Sequence, residues 1–313
     1  MNGSVGKVCQ LFGKSRQAYY QMERRRIKEC VEDELILVYV REIRKQQPRI
    51  GTRKLFSLLK EIMKANDIKM GRDKFFTVLR RHGLLVKPRR RRVRTTDSNH
   101  VYRRYPNIIK EYEPCGPEQI WVSDITYVST EKGFVYLSLV TDQYSKKIMG
   151  YHVHATLEAE GPLKALRMAL KNRSHAASRL IHHSDQGIQY CCEVYIKLLK
   201  CNNIQISMSS RGNPYENAVA ERVNGIFKTE FYLDRYFRNI NQVRQIVKEM
   251  VAVYNHNRPH TSCNYLTPEQ AHHQHGVLKK RWRTYKSKTR THNPQQIGEE
   301  AKKALEQLLV KVQ

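Results

Sequence analysis

The feature that most constrains the fold is a change in hydrophobic periodicity near residue 119. Residues 119–128, 133–141 and 146–154 are three β-rich runs, and a turn at 130–133 separates the first two, which predicts an antiparallel meander. Helical and strand patterns then alternate: helix 161–173, strand 178–183, helix 190–201, strand 203–208 and helix 215–230. Such alternation requires parallel crossovers between strands.

Three antiparallel strands followed by β-α units are the layout of the ribonuclease H-like fold. The sequence therefore predicts an α/β core over residues 115–275, a mixed five-stranded sheet with helices, preceded by an all-α region. Three acids fall at informative places in this layout. Asp124 lies inside the first strand, Asp185 lies just past the fourth strand, and Glu221 lies on the last helix, so the fold can bring them together.

These acids suggest a chemistry. Asp124 interrupts an apolar, β-branched run, where a carboxylate is costly unless something compensates it. Carboxylates that converge from separate elements suit hard divalent cations, which take oxygen ligands. Two such ions can activate the attacking oxygen and stabilise the leaving oxygen of a phosphoryl transfer. Asp124, Asp185 and Glu221 are thus the candidate catalytic residues and metal ligands.

The net charge of +28 indicates a polyanionic partner, and its distribution refines the prediction. Residues 1–100 carry 26 Lys/Arg and 10 Asp/Glu, residues 101–234 carry 16 and 14, and residues 235–313 carry 15 and 5. A nearly neutral middle is therefore flanked by two cationic arms. This layout fits a nuclease-like core with a DNA-binding segment on each side.

The N-terminal arm has two predicted parts. Residues 1–45 form a helical, helix-turn-helix-like segment in which Ser15 caps a second helix and residues 31–45 form another. Residues 46–86 form a helix-turn-helix DNA-binding domain. Its second helix is expected to expose four cations opposite an apolar face: Arg72, Lys74, Arg80 and Arg81. A three-helix bundle with solvated charged faces is the alternative.

Two further segments are basic. Residues 87–114 are a linker whose run Arg89, Arg90, Arg91 and Arg92 would lie along phosphates or in a minor groove, or would be a solvated linker. Residues 276–313 are a basic and helical C-terminal extension, whose apolar stripe would pack on the body or on another subunit.

The seven cysteines contain no CxxC pair, which argues against a zinc finger and a disulfide framework and favours a reducing cytoplasm. The chain contains no apolar run of membrane-spanning length, so no membrane association is expected.

Four sequence strings resemble, in order and spacing, the OrfB-type transposases of the third insertion-sequence family of bacteria, relatives of retroviral integrases. The strings are WVSDITYV, HHSDQGIQY, SRGNPYENAVAERVNGIFKTE and YNHNRPHTSCNYLTPEQA. The resemblance covers roughly residues 10 to 275 and assigns the catalytic metal ligands to Asp124, Asp185 and Glu221. It also implies DNA contacts by Lys228, Asn213 and Asn217. Capping of the helix is the alternative role for the asparagines. The chain departs from the family pattern at Glu216 and Cys263.

The resemblance implies a DNA transposase that binds terminal inverted repeats and catalyses metal-dependent strand cleavage and strand transfer. It implies two Mg²⁺ ions, with Mn²⁺ as a substitute, and a homo-oligomer, dimeric or larger, on paired ends and target DNA. A partner or fusion from an upstream reading frame, with its own helix-turn-helix, and a nucleoid-associated location in the bacterial cytoplasm are further expectations. The alternatives are a catalytically silent DNA-binding regulator and a nuclease without joining activity.

Other chemically suggestive residues receive structural interpretations. Asp142 is expected in a hairpin turn, and His182 and His183 are expected to pack or hydrogen-bond at a strand end. Glu230, like Glu216, is interpreted as a capping or surface charge. Arg258 belongs to a turn closing against the core, with phosphate binding as its alternative role.

Overall fold

The computed structural model describes residues 5–87, 102–174, 179–210 and 216–279, all within one compact unit. Several predicted features lie outside the described residues: Asn213, Arg89, Arg90, Arg91, Arg92 and the C-terminal extension from residue 280 onward.

Four helices precede the sheet: α1 (Val5–Leu11), α2 (Arg16–Gln46), α3 (Thr52–Ala65) and α4 (Arg72–Arg81). Ser15 caps α2 as predicted, because its Oγ accepts a hydrogen bond of 3.1 Å from the backbone N–H of Ala18. The prediction of a separate helix over residues 31–45 is wrong. No Gly or Pro interrupts residues 16–46, so the two expected helices are one of 31 residues.

The second half of α2 shares a hydrophobic core with α3 and α4. Its buried members are Ile36, Leu37 and Val40 from α2, Leu55 and Leu59 from α3, and Phe75, Val78 and Leu79 from α4. The division of this region at residue 45 into two DNA-binding segments stays a prediction.

Five strands form one mixed sheet, as predicted: β1 (Ile120–Thr130), β2 (Gly133–Asp142), β3 (Ile148–His154), β4 (Ile181–Ser184) and β5 (Gln205–Met208). Their order is β3-β2-β1-β4-β5. β1, β2 and β3 are the antiparallel meander, whereas β4 is parallel to both β1 and β5. The meander followed by parallel additions is the ribonuclease H-like topology.

Helices cover both faces of the sheet. On one face lie α5 (Glu160–Lys171), α6 (Ile188–Cys191) and α7 (Glu193–Cys201), and on the other lie α8 (Ala218–Glu230) and α9 (Ile240–His256). The single helix predicted over residues 190–201 is broken, because Cys192 adopts an extended conformation and starts α7. A short 3-10 helix (Thr261–Cys263) and α10 (Pro268–His272) complete the described elements.

Gly150 on β3 allows α5 to approach the sheet closely. A Cβ atom at this position would lie 2.1 Å from the carbonyl oxygen of Ala165 and 2.6 Å from the backbone nitrogen of Ala169. Only the absence of a side chain therefore permits this packing.

A largely buried ionic network joins the N-terminal helices to the sheet domain. Glu230, at the end of α8, accepts hydrogen bonds of 2.9 Å from Lys54 of α3 and from both Nε and a terminal nitrogen of Arg258. The Glu230 carbonyl oxygen also accepts a bond of 3.1 Å from Arg49 N–H. The interpretation of Glu230 as a capping or surface charge is therefore wrong.

The same network settles the role of Arg258. Its side chain is fully buried and its guanidinium group is hydrogen-bonded to Glu230 and His260, so it is a structural residue and the phosphate-binding alternative is wrong.

Asp142 is confirmed as a turn residue. Its Oδ1 accepts hydrogen bonds of 2.7 Å from both the backbone N–H and the Oγ of Ser145.

Burial raises the pKa of Glu230, but the charges of Arg258 and Lys54 outweigh this effect and lower it to about 2. Glu230→Ala would leave buried Arg258 and partly buried Lys54 without a compensating charge, so we expect the free energy of unfolding to fall by about 3 kcal/mol. Urea unfolding at neutral pH measures the change. Glu249→Ala, on the exposed face of α9, is the matched control. A loss below about 1 kcal/mol, similar to the control, would contradict this role for the network.

Candidate active site

Asp124 lies in the middle of β1, on the face that α8 covers. Alternate residues of a strand point to the same face, and Val128 of β1 packs with Val223 and Phe227 of α8. The half-buried carboxylate of Asp124 accepts a hydrogen bond of 2.8 Å from Asn224 Nδ2 and one of 2.9 Å from Ile125 N–H. The carboxylate is therefore held in position from two sides.

Asp185 follows β4 directly, and the strand register explains its position. In the parallel ladder, Trp121 lies opposite His182 and Val122 lies opposite His183. Extending this register by two residues places Asp185 level with Asp124. Its Oδ1 accepts a hydrogen bond of 3.1 Å from Gly187 N–H, which fixes the turn after the strand.

Glu221 lies in the first turn of α8 and is exposed. Because Asn224 is three residues further along the helix, the two side chains share the face of α8 that looks towards β1. One helix thus supplies both the third acid and the side chain that holds the first acid.

The three carboxylates act on one another electrostatically. Burial raises the pKa of Asp124 to about 7, and the charges of Asp185 and Glu221 add to this rise. Burial and the charge of Asp185 also raise the pKa of Glu221. Each acid therefore destabilises the ionised form of its neighbours, a strain that a bound cation would relieve.

The donor set fits a hard divalent cation, because it consists of carboxylate oxygens near one another. Within the described ranges, no three His, Cys, Asp or Glu side chains form a group that could hold a metal ion. The electrostatic effect of Asp185 on both Asp124 and Glu221 indicates that the three acids lie in one region of the fold.

Asn217 has a different role from the helix cap expected of it. It is buried, and its Nδ2 donates a hydrogen bond of 3.1 Å to the carbonyl oxygen of Ser123, beside Asp124. As the first residue before α8, it makes no side-chain cap. The expectation of a helix cap is therefore wrong, and Asn217 instead fastens the start of α8 to β1. Its DNA contact stays a prediction.

Lys228 lies two turns beyond Glu221 on α8 and is half-buried. Its ammonium group stacks 4.9 Å from the centre of the Tyr127 ring. This contact places the cation beside β1. Its DNA contact stays a prediction.

The two histidines of β4 are confirmed as packing residues. His182 Nε2 lies 2.8 Å from Ser123 Oγ and 2.9 Å from the Tyr195 hydroxyl, and His183 Nδ1 lies 2.8 Å from Ser207 Oγ. Burial lowers the pKa of His182 to about 3 and that of His183 to about 4, so both are neutral at pH 7.

The four cations predicted on the DNA-reading helix do not all face solvent freely. Arg72, Arg80 and Arg81 are exposed, but Lys74 is half-buried and lies 3.4 Å from Glu29 of α2. Arg81 also lies 3.5 Å from Asp33. Part of this charge therefore holds α4 to α2, and the DNA contacts of all four stay predictions.

Sequence reasoning missed Asn224, the partner of Asp124. The available signal was its spacing of three residues from Glu221 on a helix, which puts both on one face. Since an asparagine on a helix is more often a surface residue, the spacing alone did not identify it.

Two family models, both described as "Integrase core domain", match residues 114–214 and 202–268. The "Insertion element IS600 uncharacterized 31 kDa protein" of Shigella sonnei is 34% identical over 269 residues, which cover 83% of this chain and 96% of the relative. The chain belongs to the OrfB-type transposases of the third insertion-sequence family. It is a bacterial insertion-sequence transposase and a polynucleotidyl transferase of the Asp-Asp-Glu class.

Other relatives agree with this membership. "Transposase InsF for insertion sequence IS3A" of Escherichia coli (strain K12) is 33% identical over 194 residues, covering 61% of this chain and 67% of the relative. Among solved structures, the HTLV-2 integrase catalytic core domain in complex with magnesium has a TM-score of 0.40 and 18% identity, covering 52% of this transposase and 100% of that chain. Enzymes of the integrase-like Asp-Asp-Glu class generally use divalent metal ions.

Among the described helices, none is long and apolar enough to cross a membrane.

The raised pKa of Asp124 predicts a pH-dependent stability. The folded pKa is about 7 against 3.8 in the unfolded chain, so ionisation destabilises the fold increasingly as pH rises from about 4 to about 7. In EDTA at pH 8, we therefore expect Asp124→Asn to raise the free energy of unfolding by about 1–2 kcal/mol. This gain should vanish near pH 4.

Thermal unfolding at several pH values measures this difference, and Asp67→Asn, at an exposed turn, is the control. Added Mg²⁺ should stabilise the wild type and leave Asp124→Asn unchanged. If Asp124→Asn is less stable than the wild type at pH 8, ionisation of Asp124 does not destabilise the fold and the prediction is wrong.

Proposed function

We propose that Asp124, Asp185 and Glu221 are the catalytic residues of this transposase and bind two Mg²⁺ ions, for which Mn²⁺ can substitute. The observation that carries the proposal is geometric: the β1–β4 register places Asp185 level with Asp124, and α8, which carries Glu221, contacts Asp124 through Asn224. The raised pKa values of Asp124 and Glu221 agree with it. When bound, such ions supply activation of an attacking oxygen and stabilisation of the leaving oxygen.

The proposed reaction consists of two phosphoryl transfers. In the first, a water oxygen forms a bond to phosphorus at the element's end and the bond from phosphorus to the 3′ oxygen breaks, which frees a 3′-OH. In the second, that 3′ oxygen attacks another phosphodiester, and a new strand joint forms as the old 3′ oxygen leaves. The number of phosphodiester bonds is conserved in the second step, so joining needs no external energy source.

The side chains near the acids support a mechanism without a protein nucleophile. Burial, followed by the charge of Asp185, raises the pKa of the Cys191 thiol to about 11, so its thiolate is scarce at neutral pH. The low pKa of His182 makes it a poor proton acceptor. The protein's contribution is then to hold the reacting oxygens and phosphorus in line, with Asn224 orienting Asp124 and Asn217 fixing α8 to β1.

Recognition of terminal inverted repeats is proposed mainly for residues 1–86, in which α4 is the DNA-reading helix and carries Arg72, Lys74, Arg80 and Arg81. Lys228 would contact a phosphate beside the catalytic acids. Asn213 and the run from Arg89 to Arg92 remain DNA-contact proposals on sequence grounds. The reaction on paired ends requires at least two copies, and an upstream-frame helix-turn-helix partner or fusion belongs to the same proposal.

The test of the catalytic assignment uses purified full chain and labelled DNA carrying the element's ends, with Mg²⁺ or with EDTA. Asp124→Asn, Asp185→Asn and Glu221→Gln should each lower strand cleavage by about a thousandfold or more while DNA binding is retained. Glu193→Gln, an exposed acid in the first turn of α7, is the matched control.

The outcomes separate the rival functions. Nicked and joined products that need Mg²⁺ and all three acids support the transposase mechanism. Nicks without joined products would indicate a nuclease, and binding without cleavage by the wild type would indicate a regulator. Cleavage that survives in any one of the three variants would remove that residue from the site.

Lys228 can be tested through the salt dependence of binding to the same DNA. Removal of one phosphate contact lowers the slope of log affinity against log salt by about 1, so we expect this change for Lys228→Gln. Lys248→Gln, exposed on α9, should leave the slope unchanged. Equal slopes for the two variants would show that Lys228 only packs on Tyr127.

A further inference from the structure

Helix α2 buries one face and exposes the opposite one. Ile36, Leu37 and Val40 pack into the helical core. On the other side of the helix, four large apolar side chains are at least half exposed: Tyr20 at 52%, Ile27 at 56%, Val31 at 64% and Val38 at 56%. Exposed apolar residues that recur on one helix face indicate an interaction surface.

The spacing of these residues is that of a coiled coil. With Arg24 and Glu34 they form a line whose steps alternate between four and three residues, which we call the α2 seam: Tyr20, Arg24, Ile27, Val31, Glu34 and Val38. At 100° per residue, the seam lies about 150° around the helix from the buried face. The helical core therefore does not cover it.

The two charged members of the seam have no ion pair within the described part of the chain. Neighbouring charges on α2 are already matched, since Arg26 pairs with Glu23, Lys28 with Glu32, and Glu29 with Lys74. Arg24 and Glu34 appear in none of these pairs, and both are exposed. Opposite charges are thus available at two points of an otherwise apolar line.

The seam is complementary to itself when it is reversed. When a second copy lies antiparallel, each residue faces the residue of the other copy for which the two residue numbers add up to 58. Tyr20 then faces Val38, Arg24 faces Glu34, and Ile27 faces Val31. Two antiparallel copies would form an apolar centre flanked by two Arg–Glu contacts. A parallel pair would instead place Arg24 against Arg24 and Glu34 against Glu34, which is repulsive.

We propose that the α2 seam is a dimer interface, at which α2 of one copy of this chain packs antiparallel on α2 of a second copy. The arrangement has two-fold symmetry, which is the commonest symmetry of homo-oligomers. The interface lies in the N-terminal helical region, so it holds two copies together independently of the catalytic acids.

The charge pattern favours a second copy over other occupants. A DNA backbone would be opposed by Glu34 and would gain nothing from Ile27 and Val31. A helix from a different protein can pack on an apolar line, but nothing requires its charges to match in reverse order. Self-complementarity of all three pairs is the property expected of an isologous contact.

The first experiment is a charge swap in the full chain, with self-association measured by sedimentation at physiological ionic strength. Arg24→Glu and Glu34→Arg should each weaken dimerisation about tenfold or more, because each puts two like-charge contacts into the interface. The double variant R24E/E34R restores opposite charges and should dimerise like the wild type. Arg25→Glu, which changes the same charge away from the seam, is the control and should still dimerise.

A second measurement locates the contact. Exposed Cys30 lies beside the seam, one residue from Val31, and the antiparallel pairing brings it next to Cys30 of the other copy. In a Cys115→Ser/Cys201→Ser background, which removes the other exposed cysteines described, a short bis-maleimide should yield a covalent dimer joined at Cys30. Adding Arg24→Glu should abolish the product.

The possible results are distinct. A monomeric wild type, single variants that associate as tightly as the wild type, or a double variant that fails to recover would each overturn the proposal. Association of the wild type only after the upstream-frame protein is added would assign the seam to that partner instead. Circular dichroism of each variant confirms folding, which exposed substitutions at Arg24 and Glu34 should not disturb.

Discussion

The arrangement of the described chain depends on the largely buried carboxylate of Glu230, whose side chain is 16% exposed. It is the point at which Lys54 of α3 and Arg258, from the turn after α9, meet the end of α8. Buried charges are costly, and this one is compensated by three hydrogen bonds of 2.9 Å to two cations. Because Glu221 lies nine residues earlier on the same helix, the contact that fixes the N-terminal helices also fixes the helix that carries the third acid.

Helix α8 is consequently the element that contacts both the sheet and the N-terminal helices. Asn217 fastens its start to β1, Asn224 holds Asp124, Lys228 lies on Tyr127, and Glu230 anchors its end. Burial, followed by the charge of Asp185, raises the pKa values of both Asp124 and Glu221, so ionisation of these acids is unfavourable. The hydrogen bonds of Asn217 and Asn224 and the Glu230 ion network therefore offset the instability that the three acids cause, which is the usual relation between a strained site and its support.

The sequence predicted the sheet well, because alternation of period two and the order of strands and helices are local properties that each segment carries by itself. The positions of Asp124, Asp185 and Glu221 on β1, after β4 and on α8 were predictable for the same reason. The environment of Glu230 was not, since its partners lie 176 and 28 residues away and no local pattern marks them. Asn217 was misjudged likewise: its partner Ser123 is 94 residues away.

The error at α2 has a different origin and a consequence for assembly. The apolar pattern of residues 31–45 and the cap at Ser15 were both recognised, but nothing between them breaks the helix, so the two merge. The merged helix is long enough to project a second face, and Arg24 and Glu34 interrupt the apolar heptads that would otherwise mark a zipper. Arg24 and Glu34 weaken the heptad pattern within one chain. In the proposed dimer the same charges specify the orientation, because only the antiparallel arrangement pairs each of them with an opposite charge.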